Sequence, residues 1–216
     1  MKKIHLKDLF KENKDGSKSF LFLQYKLRRA AIYAIIQKDF YNKRRKDMFK
    51  CASFFAGVGG IDYGFESTGA FKTVYANEID SYPARTFELN FDVKVDVRDI
   101  HNVKSEEIPD FDIMLAGFPC QAFSIAGYRK GFEDEKGRGE LFFELTRILE
   151  NKRPRFAFFE NVKNLVGHDN GNTFRVICEQ LDILGYKYTY RVLNAMNYGN
   201  VAQNRERIYI IAFRDE

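Results

Sequence analysis

The sequence predicts an α/β protein built on a doubly wound, mostly parallel sheet. From Cys51 onward short apolar runs alternate with longer amphipathic stretches: "CASFFAG", "KTVYANEID", "FDIMLAGFPC", "RFAFFENV", "KYTYRVLNA" and "RIYIIAF". Gly, Pro, Asn or Asp punctuates the runs, which is the rhythm of strand, loop and helix in a sheet covered on both faces. A hydrophobic share of 45% over 216 residues is enough for one good core with an appendage.

The appendage is the front of the chain. Residues 1–49 read as a basic helical extension, and residues 50–216 as the main domain. Residues 20–42 carry apolar side chains around much of a helical circumference, and "NKRRKD" closes the pattern. The first fifty residues hold fifteen Lys and Arg against five Asp and Glu, so the formal charge of +5 conceals a basic front and an acidic remainder. Such a segment can neutralise phosphates and give salt-sensitive affinity for nucleic acid; a solvated helical face is the plainer reading. The charged amino terminus and the Lys26, Arg28 and Arg29 that break "FLFLQYKLRRAAIYAII" fit neither a signal peptide nor a membrane span. Three scattered cysteines and three histidines fit neither a disulfide framework nor a metal site. The expectation is a soluble, cytoplasmic protein with no membrane and no metal among its partners.

In a doubly wound sheet, ligands bind beyond the carboxyl ends of the strands. After the first run comes "FAGVGGI", in which Gly57, Gly59 and Gly60 allow tight turning and close approach of backbone to a ligand. Glu78 follows the second run about twenty residues later, where a carboxylate can accept from both hydroxyls of a ribose. "GVGGID" lacks the last glycine of a pyrophosphate-binding turn, which favours a nucleoside cofactor without phosphates. Asp99, in "DVRDI", is placed to meet an adenine amino group or to cap a turn.

Cys120 sits at the same edge, in "GFPCQ". Pro119 sets its own φ and biases Phe118 toward extended backbone, holding the thiol in one orientation. That is the setting of a reactive thiolate, whereas Cys51 and Cys178 lie within apolar patterning and read as inert. "FFENV" brings Glu160 and Asn161 to the next strand end, a carboxyl group suited to hydrogen-bonding a heterocycle. "AQNRERIYIIAF" sends Gln203, Arg205 and Arg207 into the last strand, with both guanidinium groups on one side for phosphate or base recognition.

Taken in order, "FAGVGGI", "NEID", "RDI", "GFPCQAFS", "ENV" and "QNRERIYII" resemble the cytosine-C5 DNA methyltransferases over residues 51–216. The resemblance implies a Rossmann-like methyltransferase fold, S-adenosylmethionine as cofactor and double-stranded DNA as partner, in a restriction-modification setting. It implies that Phe55 lies against the adenine, and that Gly57 and Gly59 approach the methionine portion. Glu78 would bind the ribose, and Ile79, Asp99, Ile100 and Pro119 would frame the adenine with Leu141 nearby. Cys120 would be the nucleophile, Glu160 the group on the cytosine ring, and Arg207 with Arg205 the guanidinium pair that positions it. The stretch "SIAGYRKGFEDEKGRGE" resembles the family's mobile loop.

The pattern is incomplete, because in that family a target-recognition domain and a closing motif follow the last strand. Three arrangements answer to this: a split enzyme whose second subunit carries recognition, a truncated product, and a permuted enzyme using residues 1–49. The function expected is DNA (cytosine-5-)-methyltransferase; the alternative is a remnant or non-catalytic relative that binds cofactor or DNA. A nicotinamide oxidoreductase would share the glycine turn and ribose acid but has no use for Pro-Cys-Gln beside Glu-Asn-Val.

Overall fold

The computed structural model of the protein describes residues 48–119, 141–199 and 201–214. The helix expected over 20–42, Cys120 and the stretch 124–140 lie outside the described residues. The described residues all fall in the unit Met48–Glu216.

Seven strands, β1 Phe49–Phe54, β2 Phe71–Asn77, β3 Val95–Asp96, β4 Ile113–Ala116, β5 Phe156–Val162, β6 Lys187–Asn194 and β7 Glu206–Phe213, form one sheet in the order β3-β2-β1-β4-β5-β7-β6. β1 to β5 run parallel, and β7 inserts antiparallel between β5 and β6. The expected mostly parallel sheet is therefore present, with one reversed strand.

The central strands are apolar on both faces because both faces are covered. All four residues of β4, Ile-Met-Leu-Ala, are buried. On one face Ala52, Phe54, Met114, Ala116 and Phe159 pack with helix α3 (Leu141–Lys152) and helix α4 (Asn172–Ile183). Those helices bury Phe142, Leu145, Ile148 and Leu149, and Phe174, Ile177 and Leu181, at spacings of three and four that place one apolar stripe toward the sheet. On the other face Cys51, Ile113 and Leu115 meet Ile61 and Phe65 of helix α1 (Gly60–Glu66). Helix α2 (Ser81–Asn90) starts where the Asp80 side chain accepts from the Tyr82 N–H, and its Ala84 and Phe87 pack against Ala76 and Val95.

Beneath α1, Asp62 is wholly buried, and its carboxylate accepts from Ser53 Oγ at 2.8 Å and Thr73 Oγ1 at 3.0 Å. Burial pushes this carboxyl up from its ordinary value, against the lowering effect of both hydroxyls. The neighbouring Cys51 thiol is also pushed far up, chiefly by burial and then by the carboxylates of Asp62, Glu66 and Asp112. Cys178 is half-buried and raised for the same first reason. Both thiols are held away from the reactive thiolate form.

The chain winds from β1 outward to β3 and then returns to place β4 on the other side of β1. Strand order thus reverses between β1 and β4, with α1 after β1 on one face and α3 before β5 on the other. In open α/β sheets such a switch point is where ligands bind beyond the carboxyl ends of the strands. Among the described residues no helix is long and apolar enough to cross a membrane.

Candidate active site

The turn after β1 carries the first half of the site. Phe55 has φ 53°, and Gly57 and Gly59 have φ 55° and 88°. Three left-handed residues in five reverse the chain sharply between strand and helix, and Phe55 is the one that must bear a side chain there. The two glycines serve different ends. A Cβ on Gly59 would stand 2.2 Å from the Phe91 ring, which stacks on Phe87 with centroids 4.3 Å apart. Its bareness thus lets α1 approach α2. A Cβ on Gly57 meets nothing within 4 Å, so there the backbone faces open space.

Glu78 is bound into the same turn. Gly57 N–H donates to its Oε2 at 2.9 Å, and Asp80 N–H donates to its Oε1 at 3.0 Å. The backbone thereby fixes both carboxylate oxygens while each keeps a lone pair for a hydroxyl. Ile79 next to it is 62% exposed, an apolar side chain without cover at the strand end. Asp99 caps the 3-10 turn Ile100–Asn102: its Oδ1 accepts from His101 N–H at 3.0 Å and meets His101 Nδ1 at 2.6 Å. The backbone bond, with the imidazole after it, holds this carboxyl below its usual range. Both readings of Asp99 thus remain compatible, since the cap engages one oxygen only. Ile100 is buried within the core, and Leu141 is half-buried at the start of α3.

The second half of the site lies at the ends of β4, β5 and β7. β4 and β5 pair in parallel with Ala116 opposite Phe159, so the next residues, Gly117 and Glu160, emerge side by side. Glu160 Oε2 lies 3.6 Å from where a Cβ on Gly117 would stand. Glu160 Oε1 pairs with Arg207 Nε at 2.9 Å, both side chains being about one-fifth exposed. The antiparallel register aligns Val162 with Arg207, which puts Arg207 diagonally across from Glu160 on one face. Arg205 precedes β7 and is exposed; its N–H donates to Asn194 Oδ1 at 3.2 Å and its carbonyl accepts from Ala195 N–H at 2.9 Å.

Asn161 is visible in the sequence without a role. It is buried, and its Nδ2 donates to the Phe118 carbonyl at 2.9 Å. Phe118 is buried and Pro119 exposed, so β5 grips the backbone two residues before Cys120 at the point where the chain emerges. A polar amide next to Glu160 near the end of an apolar run was the signal available for it. Gly117 offered no such signal, because its importance depends on which strand lies beside it.

The described residues therefore bring Gly57 and Glu78 together, and Glu160 with Arg207, along one carboxyl edge. The donor set suits a nucleoside with an uncharged linkage: a fixed carboxylate for hydroxyls, an open glycine backbone and exposed aliphatic surface. No group of three or more metal-binding side chains gathers among the described residues.

Comparison with known proteins identifies the family. The family model described as C-5 cytosine-specific DNA methylase matches residues 49–216. The Type II methyltransferase M.Bsp6I of Bacillus sp. (strain RFL6) is 61% identical over 168 residues, 78% of this chain and 53% of that protein. M.HhaI of Haemophilus parahaemolyticus is 51% identical over 162 residues, 75% of this chain and 48% of that protein. The chain thus spans about half the length of these relatives. Among solved structures, a DNMT2 variant of Spodoptera frugiperda superposes with a TM-score of 0.63 at 25% identity, covering 77% of this chain and 50% of that one. Dnmt2 of S. pombe gives 0.62 at 21% identity, covering 78% and 51%, a likeness of fold. The chain belongs to the C-5 cytosine-specific DNA methylase family.

Proposed function

We propose that this chain carries the catalytic half of a DNA (cytosine-5-)-methyltransferase of a restriction-modification system, acting in the cytoplasm on a cytosine flipped out of double-stranded DNA. The observation that supports it most is the stitching of β4 to β5. The Glu160 carboxylate lies against Gly117, and Asn161 holds the Phe118 carbonyl, so a ring-binding acid and the turn leading to Cys120 share one rim.

Cytosine C5 is a poor nucleophile, and the residues divide the work of activating it. The Cys120 thiolate adds to C6, which gives C5 enamine character. Glu160, entering the step as the carboxylic acid, holds or protonates N3 and so relieves the charge that addition drives into the ring. Arg207, held by Glu160 at 2.9 Å, faces O2, and Arg205 steadies neighbouring groups. S-adenosylmethionine, when bound, supplies an electrophilic methyl group to C5. Transfer of the C5 proton to water, with return of any N3 proton to Glu160, then breaks the C6–S bond and expels the thiolate. Gly57 and Glu78 hold the methionine and ribose parts, while Phe55, Ile79, Asp99, Ile100, Pro119 and Leu141 frame the adenine, with Gly59 keeping the turn in place. Flipping the base out of the duplex costs roughly a few kcal/mol, which is why the thiol belongs on an exposed edge.

Choice of the DNA site belongs, in this reading, to sequence of the kind that makes up the other half of the relatives, supplied by the same polypeptide or by a second subunit. Methyl transfer from labelled S-adenosylmethionine to mixed-sequence duplexes tests the assignment. Cys120→Ser is expected to abolish transfer while leaving S-adenosylhomocysteine binding intact. Undiminished turnover in that variant would refute the nucleophile.

A further inference from the structure

The Arg147 guanidinium lies outside the proposed catalytic rim and outside every motif of the sequence, yet it links its own helix to a segment more than forty residues earlier in the chain. It projects from α3 and donates to four groups. Nη2 reaches the Val103 carbonyl at 2.8 Å and, more weakly, the Ile100 carbonyl at 3.4 Å; Nη1 reaches Ser105 Oγ at 3.0 Å; Nε reaches Glu144 Oε2 at 2.7 Å. Ile100, Val103 and Ser105 are all nearly inaccessible to solvent.

These acceptors have one thing in common. They lie in one short segment that directly follows Asp99: the 3-10 turn Ile100–Asn102, the Val103 that caps its end, and Ser105 at the head of a second 3-10 turn, Ser105–Glu107. A 3-10 turn leaves its terminal carbonyls short of partners, and a planar fork answers several at once where an ammonium cannot. Glu144, only 17% exposed, fixes the fork from the side of its own helix. Asp99 heads the first turn, and its Oδ2 has no partner among the described residues, its Oδ1 being engaged by His101. Leu141 lies six residues earlier on the same helix as Arg147, about 9 Å along its axis. One side chain therefore ties together the two segments that carry Asp99 and Leu141.

We propose that Arg147 is a positioning residue for the adenine end of the cofactor site: by fastening the turn after Asp99 to α3, it aims the free Asp99 oxygen at the exocyclic amino group of the base. This rests on the reading of the site under Proposed function. Loss of the fork leaves the turn in place through its own hydrogen bonds but removes the constraint on its distance from α3. The consequence falls on recognition of the amino group rather than on the grip on the ribose or methionine portion, which belongs to β1 and β2.

The test compares S-adenosylhomocysteine with S-inosylhomocysteine, in which a carbonyl replaces the adenine amino group, by calorimetric binding to the full 216-residue chain. The unsubstituted chain is expected to prefer the adenine ligand by about tenfold, the scale of one hydrogen bond to a charged acceptor. Arg147→Met is expected to lose that preference, the two affinities converging while the inosine ligand binds as before. Arg147→Lys keeps the charge and the Glu144 partner but not the fork, so it too is expected to lose most of the preference. Should Arg147→Met not fold, Arg147→Lys carries the test alone. Full retention of the preference in folded Arg147→Lys or Arg147→Met would overturn the proposal. Failure of the unsubstituted chain to bind S-adenosylhomocysteine, or equal affinity for both ligands, would instead count against the cofactor site itself and take the proposal with it.

Discussion

The bond from Asn161 to the Phe118 carbonyl gives the proposed catalytic edge its definition, because it joins the strand that carries Glu160 to the backbone two residues before Cys120. Removing a buried donor leaves its acceptor unsatisfied, at about 1–3 kcal/mol. Asn161→Ala is therefore expected to lower the single-turnover methylation rate about tenfold or more, with the dissociation constant for S-adenosylhomocysteine unchanged. A parallel loss of cofactor affinity would point to general damage instead. Asp62 makes a prediction of the opposite kind. Its folded value is raised, so the native state favours the protonated carboxyl, and stability falls as pH rises from the ordinary carboxylate range through that raised value. Asp62→Asn removes this dependence. Its urea-unfolding free energy relative to the unsubstituted protein is expected to improve as pH rises above the ordinary carboxylate range; a difference that stays constant with pH would contradict a raised value for this carboxyl. At this scale the sequence was legible where chemistry is unusual in place, as with Glu78, Glu160 and the Arg207 that pairs with it. It was silent on Asp62, whose burial depends on β1 and β2 lying side by side under α1.

At the scale of elements, the turn after β1 separates packing from binding. Gly59→Ala meets both a left-handed φ of 88° and a ring at 2.2 Å, so it is expected to destabilise the fold by about 2–4 kcal/mol, read as a lowered midpoint of thermal unfolding. Gly57→Ala meets only the φ of 55°, with open space around it, and is expected to lose about 1 kcal/mol of stability but most of the cofactor affinity. The reverse ranking of the two variants would contradict the division. From sequence both glycines looked alike, because what distinguishes them is the Phe87 and Phe91 stack, more than two dozen residues further along the chain. The strands themselves were readable, since the apolar runs and the glycine or asparagine after them are local properties. The insertion of β7 between β5 and β6 was not: strand order and the reversal of one strand arise from pairing, which composition does not record.

For the whole molecule, charge is divided along the chain, and the basic front segment is where sequence-independent affinity for DNA is expected. Replacing Lys43, Arg44, Arg45 and Lys46 by Gln in the full chain is expected to flatten the dependence of DNA binding on salt, by up to about 0.9 in the logarithmic slope for each phosphate no longer neutralised. Cofactor binding should not change. An unaltered salt slope would mean that these residues are a solvated face and nothing more. The central claim, that the thiol of Cys120 works beside the carboxyl of Glu160 on one pyrimidine ring, has a more direct readout. Duplexes containing 5-fluorocytosine trap the adduct because fluorine cannot leave as the C5 proton does. With S-adenosylmethionine and a mixed-sequence pool of such duplexes, a denaturation-resistant adduct is expected whose modified peptide maps to Cys120, absent from Cys120→Ser and strongly reduced in Glu160→Gln. No adduct from the unsubstituted chain, or one that persists in Cys120→Ser, would contradict the account.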